Sequence, residues 1–208
     1  FNLIYSNNMN NILSITSKYF TNLGYRLKFG KSNELKWGPF AGLPEQRADD
    51  IHEMFANSDI DAIFCARGGY GANRVLPLLD YNLIKENPKI FIGYSDITAM
   101  LISITQKTSL ITFHGAMLTS YKDSWVEYNY SLMQRVLSGE KFIKIYSPDG
   151  LETKILKHGI AHGPLWGGNM CLLINRLGTN ESLNTDGVIL FLEDIDEYLY
   201  SFERMLVH

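Results

Sequence analysis

Apolar positions along the chain change period several times, and the changes mark alternating helices and strands. Over residues 9–23, Ile12, Ile15, Tyr19 and Leu23 recur at helical spacing, and Gly24 is placed to stop the helix. Tyr25–Phe29 predicts a short strand, and the aperiodic Lys31–Gly42 a loop. Pro44 suits the first turn of a second helix whose stripe is Ala48, Ile51, Met54 and Phe55. The continuous apolar runs 62–66 and 89–93 have the form of strands buried on both faces of a parallel sheet. Asn73–Leu79 can begin a helix after the first run, Ile97 to about Gln106 reads as a helix after the second, and Leu110–Phe113 as a third strand.

From about Ser120 the texture changes. Tyr, Trp and Asn crowd residues 121–130, and Glu140–Ile160 reads as short polar strands and turns. Order resumes at Gly163–Asn169, which opens an apolar helix, Met170–Leu177, closed by Gly178; Gly187–Leu192 is a further buried strand and Tyr200–His208 a last helix. The expectation is an α/β protein, with a mostly parallel sheet flanked by helices in residues 1–120, a linker over 121–162, and part of a second, mixed α/β domain in 163–208.

The 208 residues are 46% apolar and 20% charged, enough to bury a core. Nineteen Lys and Arg against twenty-two Asp and Glu give a net charge of −3, which argues against a nucleic-acid partner. No apolar run reaches the ~18–20 residues of a membrane-spanning helix. Cys65 and Cys171 lie in apolar segments without zinc spacing, so buried, reduced thiols and a cytoplasmic setting are expected. The chain opens FNLIYSNN, without an initiator Met, and closes within an amphipathic pattern, as a fragment would.

Three segments can carry chemistry. Gly93-Tyr94-Ser95-Asp96 turns directly from a strand into a helix, the form of a nucleophile elbow, although the usual GxSxG is not matched. In that reading Ser95 attacks and the Asp96 N–H faces the oxyanion; in the other, the pair only caps a helix. Arg67-Gly68-Gly69-Tyr70-Gly71 follows the neighbouring strand and matches neither a Walker loop nor GxGxxG. Its glycines either close a tight turn or bring N–H groups to a ligand as the second half of an oxyanion hole. Glu193, ending a strand, can orient a base, or belong to a solvated acidic rim with Asp194, Asp196 and Glu197. His52, His114, His158, His162 and His208 each read as ordinary packing or surface residues.

Taken in order, Ala66–Gly71, Phe91–Ala99, Thr112–Gly115, Leu165–Asn169 and Phe191–Asp194 resemble the LD-carboxypeptidase family of serine peptidases, which includes muramoyl-tetrapeptide carboxypeptidases and microcin C resistance peptidases. The motifs cover roughly residues 20–206. The resemblance implies a Ser–His–Glu triad with Ser95 as nucleophile and Glu193 as its acid. It implies an oxyanion hole from Asp96 and the Gly68-Gly69 turn, and substrate contacts from Tyr70, Trp166 and Asn169. It further implies a cytoplasmic homodimer that removes the terminal D-alanine from peptidoglycan tetrapeptides during wall recycling, without metal or cofactor. The family's histidine lies downstream of the glutamate, beyond His208. The alternatives are a microcin-type peptidase acting on an acyl-nucleotide, and a truncated module that binds peptide without cutting it.

Overall fold

The computed structural model describes residue 14 and residues 17–120 and 127–208. Residues 9–13 and 15–16 of the first expected helix, and most of the aromatic stretch after Ser120, lie outside them. The described part of α1 covers 17–22, and Gly24 follows with φ +88°, as a helix-terminating glycine does.

Among the described residues three parallel strands, β1 (Ala62–Phe64), β2 (Ile90–Gly93) and β3 (Phe113–His114), form the first sheet in that order. The middle strand is thus the one that leads into Ser95. α2 (Pro44–Ala56) carries Pro44 in its first turn and buries Ala48 and Phe55, whose ring stacks on Phe91 of β2 at 5.9 Å. α3 (Tyr81–Glu86) is capped by Asp80, whose carboxylate accepts the N–H groups of Asn82 and Leu83.

α4 (Thr98–Thr108) is the centre of the molecule. Thr98 through Ile104 are all buried, so the helix has no solvent face over two turns. It packs against β2, β3, β4 (Leu165–Asn169) and α6 (Met170–Asn175). β4 pairs in parallel with β5 (Ile189–Glu193), bringing Asn169 beside Glu193. A polar network fastens the two parts together. The buried Arg176 guanidinium donates to the Ala99 carbonyl (2.6 Å), to Ser103 Oγ (2.6 Å) and to Glu181 (3.0 Å), and Lys107 pairs with the same glutamate. Each charged group there has a counter-charge, which buried ions require. α7 (Leu199–Val207) closes the described chain.

Several expectations are corrected. Tyr25–Phe29 joins no ladder among the described residues, and Tyr25, Leu27 and Phe29 remain exposed. Asn73–Leu79 is two 3₁₀ turns, Ala72–Arg74 and Leu76–Leu78, because Pro77 lacks the N–H that would continue an α-helix. β3 is shorter than Leu110–Phe113 and sits later. The connecting region contains a helix, α5 (Glu127–Leu137), and no strand is assigned between 138 and 164. Leu165–Asn169 is a strand rather than a helix opening: Gly167 and Gly168 have φ +144° and +139°, and a Cβ on Gly167 would stand 1.8 Å from the Phe191 carbonyl oxygen. Cys171 is exposed on α6, not buried. Cys65 keeps some surface through a cavity it lines, yet burial pushes its thiol up to about 12.

Candidate active site

Because β1, β2 and β3 run parallel, the chain leaves all three at one sheet edge, where ligands of open α/β sheets bind. The glycine turn follows β1, Ser95 follows β2, and His114 ends β3. β2 stops at Gly93, where a Cβ would lie 2.5 Å from Ile97 Cγ2, so the absent side chain permits the sharp return of the chain. Ser95 then opens a 3₁₀ turn, Ser95–Ile97, with φ +59°. A left-handed conformation at a non-glycine residue is strained, and such residues cluster at active sites.

The turn after β1 meets Ser95 directly. A Cβ on Gly68 would stand 3.0 Å from Ser95 Cβ and 3.2 Å from Ser95 Oγ. Gly69 and Gly71 take φ +124° and +107°, values that L side chains rarely adopt. The expected juxtaposition of the two motifs is therefore present. Asp96, 5% exposed, points its side chain under the glycine turn, where Oδ2 accepts the Ala72 N–H at 2.9 Å.

Glu193 is the last residue of β5 and reaches the same edge. Its Oε1 is buried without a hydrogen-bond partner among the described residues and lies 3.9 Å from His114 Nε2. Partial burial, helped by the neighbouring Asp194 charge and opposed by a hydrogen bond from Asn169, holds the Glu193 carboxyl above its ordinary range. The His114 ring packs edge-on against Phe191 (5.1 Å) and Tyr94 (6.1 Å), and burial holds the imidazole below its usual value. Among the described residues no group of three or more His, Cys, Asp or Glu is arranged to hold a metal.

Trp166 on β4 lines a cavity of about 900 Å³ with Tyr94, His114, Phe191 and the apolar face of α5. Tyr70 is 51% exposed and sits edge-on to Phe40, which stacks on Trp37. Asn169 is buried and its amide is committed: Oδ1 accepts Leu172 N–H to cap α6, and Nδ2 donates to Asp194. Its backbone N–H donates to Thr98 Oγ1 in the first turn of α4, so the strand carrying Asn169 is tied to the helix that follows Ser95.

The LD-carboxypeptidase N-terminal domain matches residues 5–115, and the LD-carboxypeptidase C-terminal domain matches residues 162–208. The chain belongs to the LD-carboxypeptidase family. It is 38% identical over 190 residues to a probable murein peptide carboxypeptidase of Bacillus subtilis, covering 90% of this chain and 59% of that protein. It is 32% identical over 203 residues to the murein tetrapeptide carboxypeptidase of Pseudomonas aeruginosa, covering 94% and 65%. A structure of MccF in complex with glutamyl sulfamoyl guanosine superimposes with a TM-score of 0.82 at 28% identity, covering 95% of this chain and 67% of that one. The chain thus spans about three fifths of the length of the curated relatives it matches.

In this member of the LD-carboxypeptidase family the glycine turn touches the serine turn, and Glu193 lies beside His114 at the end of β3. Two other residues join them. His114 reads as a packing residue in the sequence, and its position at the end of a strand was the available signal. Arg47 lies on α2, remote from every motif, and nothing local marks it.

Proposed function

We propose that the protein is a serine carboxypeptidase that hydrolyses an L,D-peptide bond and releases the terminal D-alanine from peptidoglycan-derived tetrapeptides. Ser95 Oγ attacks the carbonyl carbon of the L-configured residue and gives its proton to a histidine base. The resulting oxyanion is held by the N–H groups of Asp96 and Gly69. Collapse expels D-alanine, which takes the proton from the histidine, and water then frees the acyl group from Ser95 by the same steps in reverse. Glu193 Oε1, which has no hydrogen-bond partner among the described residues, accepts the imidazole N–H and keeps the ring aimed at Ser95. That base is the downstream histidine which the family resemblance implies, and no metal or cofactor takes part.

The observation that carries this reading is Ser95 itself, strained at φ +59° at the end of the central strand and touching a side-chain-free Gly68. The murein peptidases among the relatives support the substrate class, and wall-peptide recycling in the cytoplasm by a homodimer fits that class. The purified full-length protein is expected to release D-alanine from an L,D-tetrapeptide, and Ser95→Ala to abolish release; undiminished turnover in that variant overturns the assignment. The likeness to MccF favours a second reading, cleavage of an acyl-nucleotide. Turnover of an acyl sulfamoyl nucleoside in preference to the tetrapeptide would establish it.

A further inference from the structure

Resting on Ser95 as nucleophile and the glycine turn as oxyanion donor, one question follows from the turn's composition. Gly68, Gly69 and Gly71 make it intrinsically soft, because glycine has the most backbone freedom to lose. An oxyanion hole must nevertheless hold its N–H within a few tenths of an ångström.

We propose that Asp96 and Arg47 form a clamp that fixes the glycine turn against the nucleophile, so that both are positioning residues for the reaction. Asp96 approaches from the serine side. It immediately follows Ser95, its carboxylate accepts the Ala72 N–H at 2.9 Å, and it also interacts with the Gly71 N–H. Arg47 approaches from α2, and its Nη1 donates to the Gly71 carbonyl at 3.2 Å. One peptide segment is thus gripped at its N–H groups by a carboxylate and at its C=O by a guanidinium, and the two gripping groups attract each other.

The fit is close. A Cβ on Gly71 would stand 2.6 Å from Phe40 and 3.3 Å from Arg47 Nη1, so only glycine admits both neighbours. Burial raises the Asp96 carboxyl and lowers the Arg47 guanidinium, each opposed by the other's charge. A pair of a buried carboxylate and a partly buried guanidinium is expensive to keep for stability alone, since apolar replacements often serve as well. Its geometric effect is specific: because Asp96 and Ser95 are adjacent in one rigid 3₁₀ turn, holding Ala72 and Gly71 to Asp96 sets the distance from Gly69 to Ser95.

The test compares Arg47→Met, Arg47→Lys and Asp96→Asn on an L,D-tetrapeptide, with a fluorophosphonate probe as an independent reporter of the serine. Arg47→Met is expected to lower kcat about 100-fold with KM within about threefold, since a loosened oxyanion donor is felt in the transition state and not in substrate binding. Arg47→Lys, which keeps a donor and a charge, should recover at least about tenfold of that loss. Asp96→Asn, which keeps the shape and one acceptor, should lower kcat about tenfold. Wild-type kcat in Arg47→Met or in Asp96→Asn, or a loss confined to KM, overturns the clamp. Should Arg47→Met fail to fold, Asp96→Asn decides alone. Probe incorporation elsewhere than at Ser95 in the wild-type protein would instead overturn the nucleophile assignment and leave these kinetics a separate result.

Discussion

Gly68 and Ser95 are in contact across two neighbouring strand ends, and a methyl group at Gly68 would come within 3.2 Å of Ser95 Oγ. That separation is too short for comfort and too long to break the fold, so Ser95 or the turn must yield by a few tenths of an ångström. Gly68, unlike Gly69 and Gly71, is not held at positive φ, so alanine brings no backbone strain. Gly68→Ala is therefore a purely steric probe. It is expected to fold normally and to lose roughly 10- to 100-fold in kcat with little change in KM, measured by D-alanine release.

The strain at Ser95 has its own signature. In an ordinary position glycine is less stable than alanine through its backbone freedom. At φ +59° the order reverses, because a Cβ in the left-handed region costs roughly 1–2 kcal/mol. Both Ser95→Gly and Ser95→Ala should be inactive, yet Ser95→Gly is expected to unfold at the higher temperature in a thermal scan. The opposite order would mean that the turn is relaxed.

How much of this was legible in the sequence depends on whether the deciding interaction is local. The serine turn announces itself because strand, sharp bend and helix lie within about ten residues, and Gly93 marks the bend. The glycine turn is equally local. β4 was hidden because the glycine-rich Gly163–Asn169 reads as the opening of the helix that follows. It becomes a strand only through the close approach of Phe191 and Thr98 that its glycines allow. α5 was hidden in a different way: Leu132, Met133, Val136 and Leu137 do have helical spacing, but the surrounding Tyr and Asn residues obscured it. Arg47 and His114 acquire their positions from tertiary packing, which leaves no trace in a local pattern.

His114 invites a direct comparison with the triad histidine, because it is the imidazole beside Glu193. At 3.9 Å the pair is beyond hydrogen-bonding reach, and the ring is wedged between Tyr94 and Phe191 with Nδ1 turned toward Gly168. Burial keeps it neutral near pH 7. A packing imidazole replaced by an amide of similar size loses little chemistry, so His114→Gln should keep kcat within about tenfold of wild type. A loss as deep as that of Ser95→Ala, on the order of 10⁴-fold or more, would make His114 the base and remove the need for a downstream histidine.

Glu193 offers a test in which stability and activity move in opposite directions. Its carboxyl is held above the ordinary range, first by burial and then by the adjacent Asp194 charge. The folded state thus binds the proton more tightly than the unfolded chain. The stability this contributes is complete below the unfolded value, about 4.5, and is lost as pH rises through the higher folded value. Glu193→Gln cannot acquire the charge. Its melting temperature should match wild type near pH 4 and exceed it at pH 7, the gap opening across the interval between the two values. Meanwhile its kcat should fall by about 10⁴-fold, as when a triad carboxylate becomes an amide and the imidazole is no longer held in the right tautomer. A variant less stable than wild type at pH 7 would show instead that the charged carboxylate is held by favourable contacts. Glu193 would then be a structural residue of the β4–β5 pair rather than one whose buried charge is maintained for catalysis at the expense of stability.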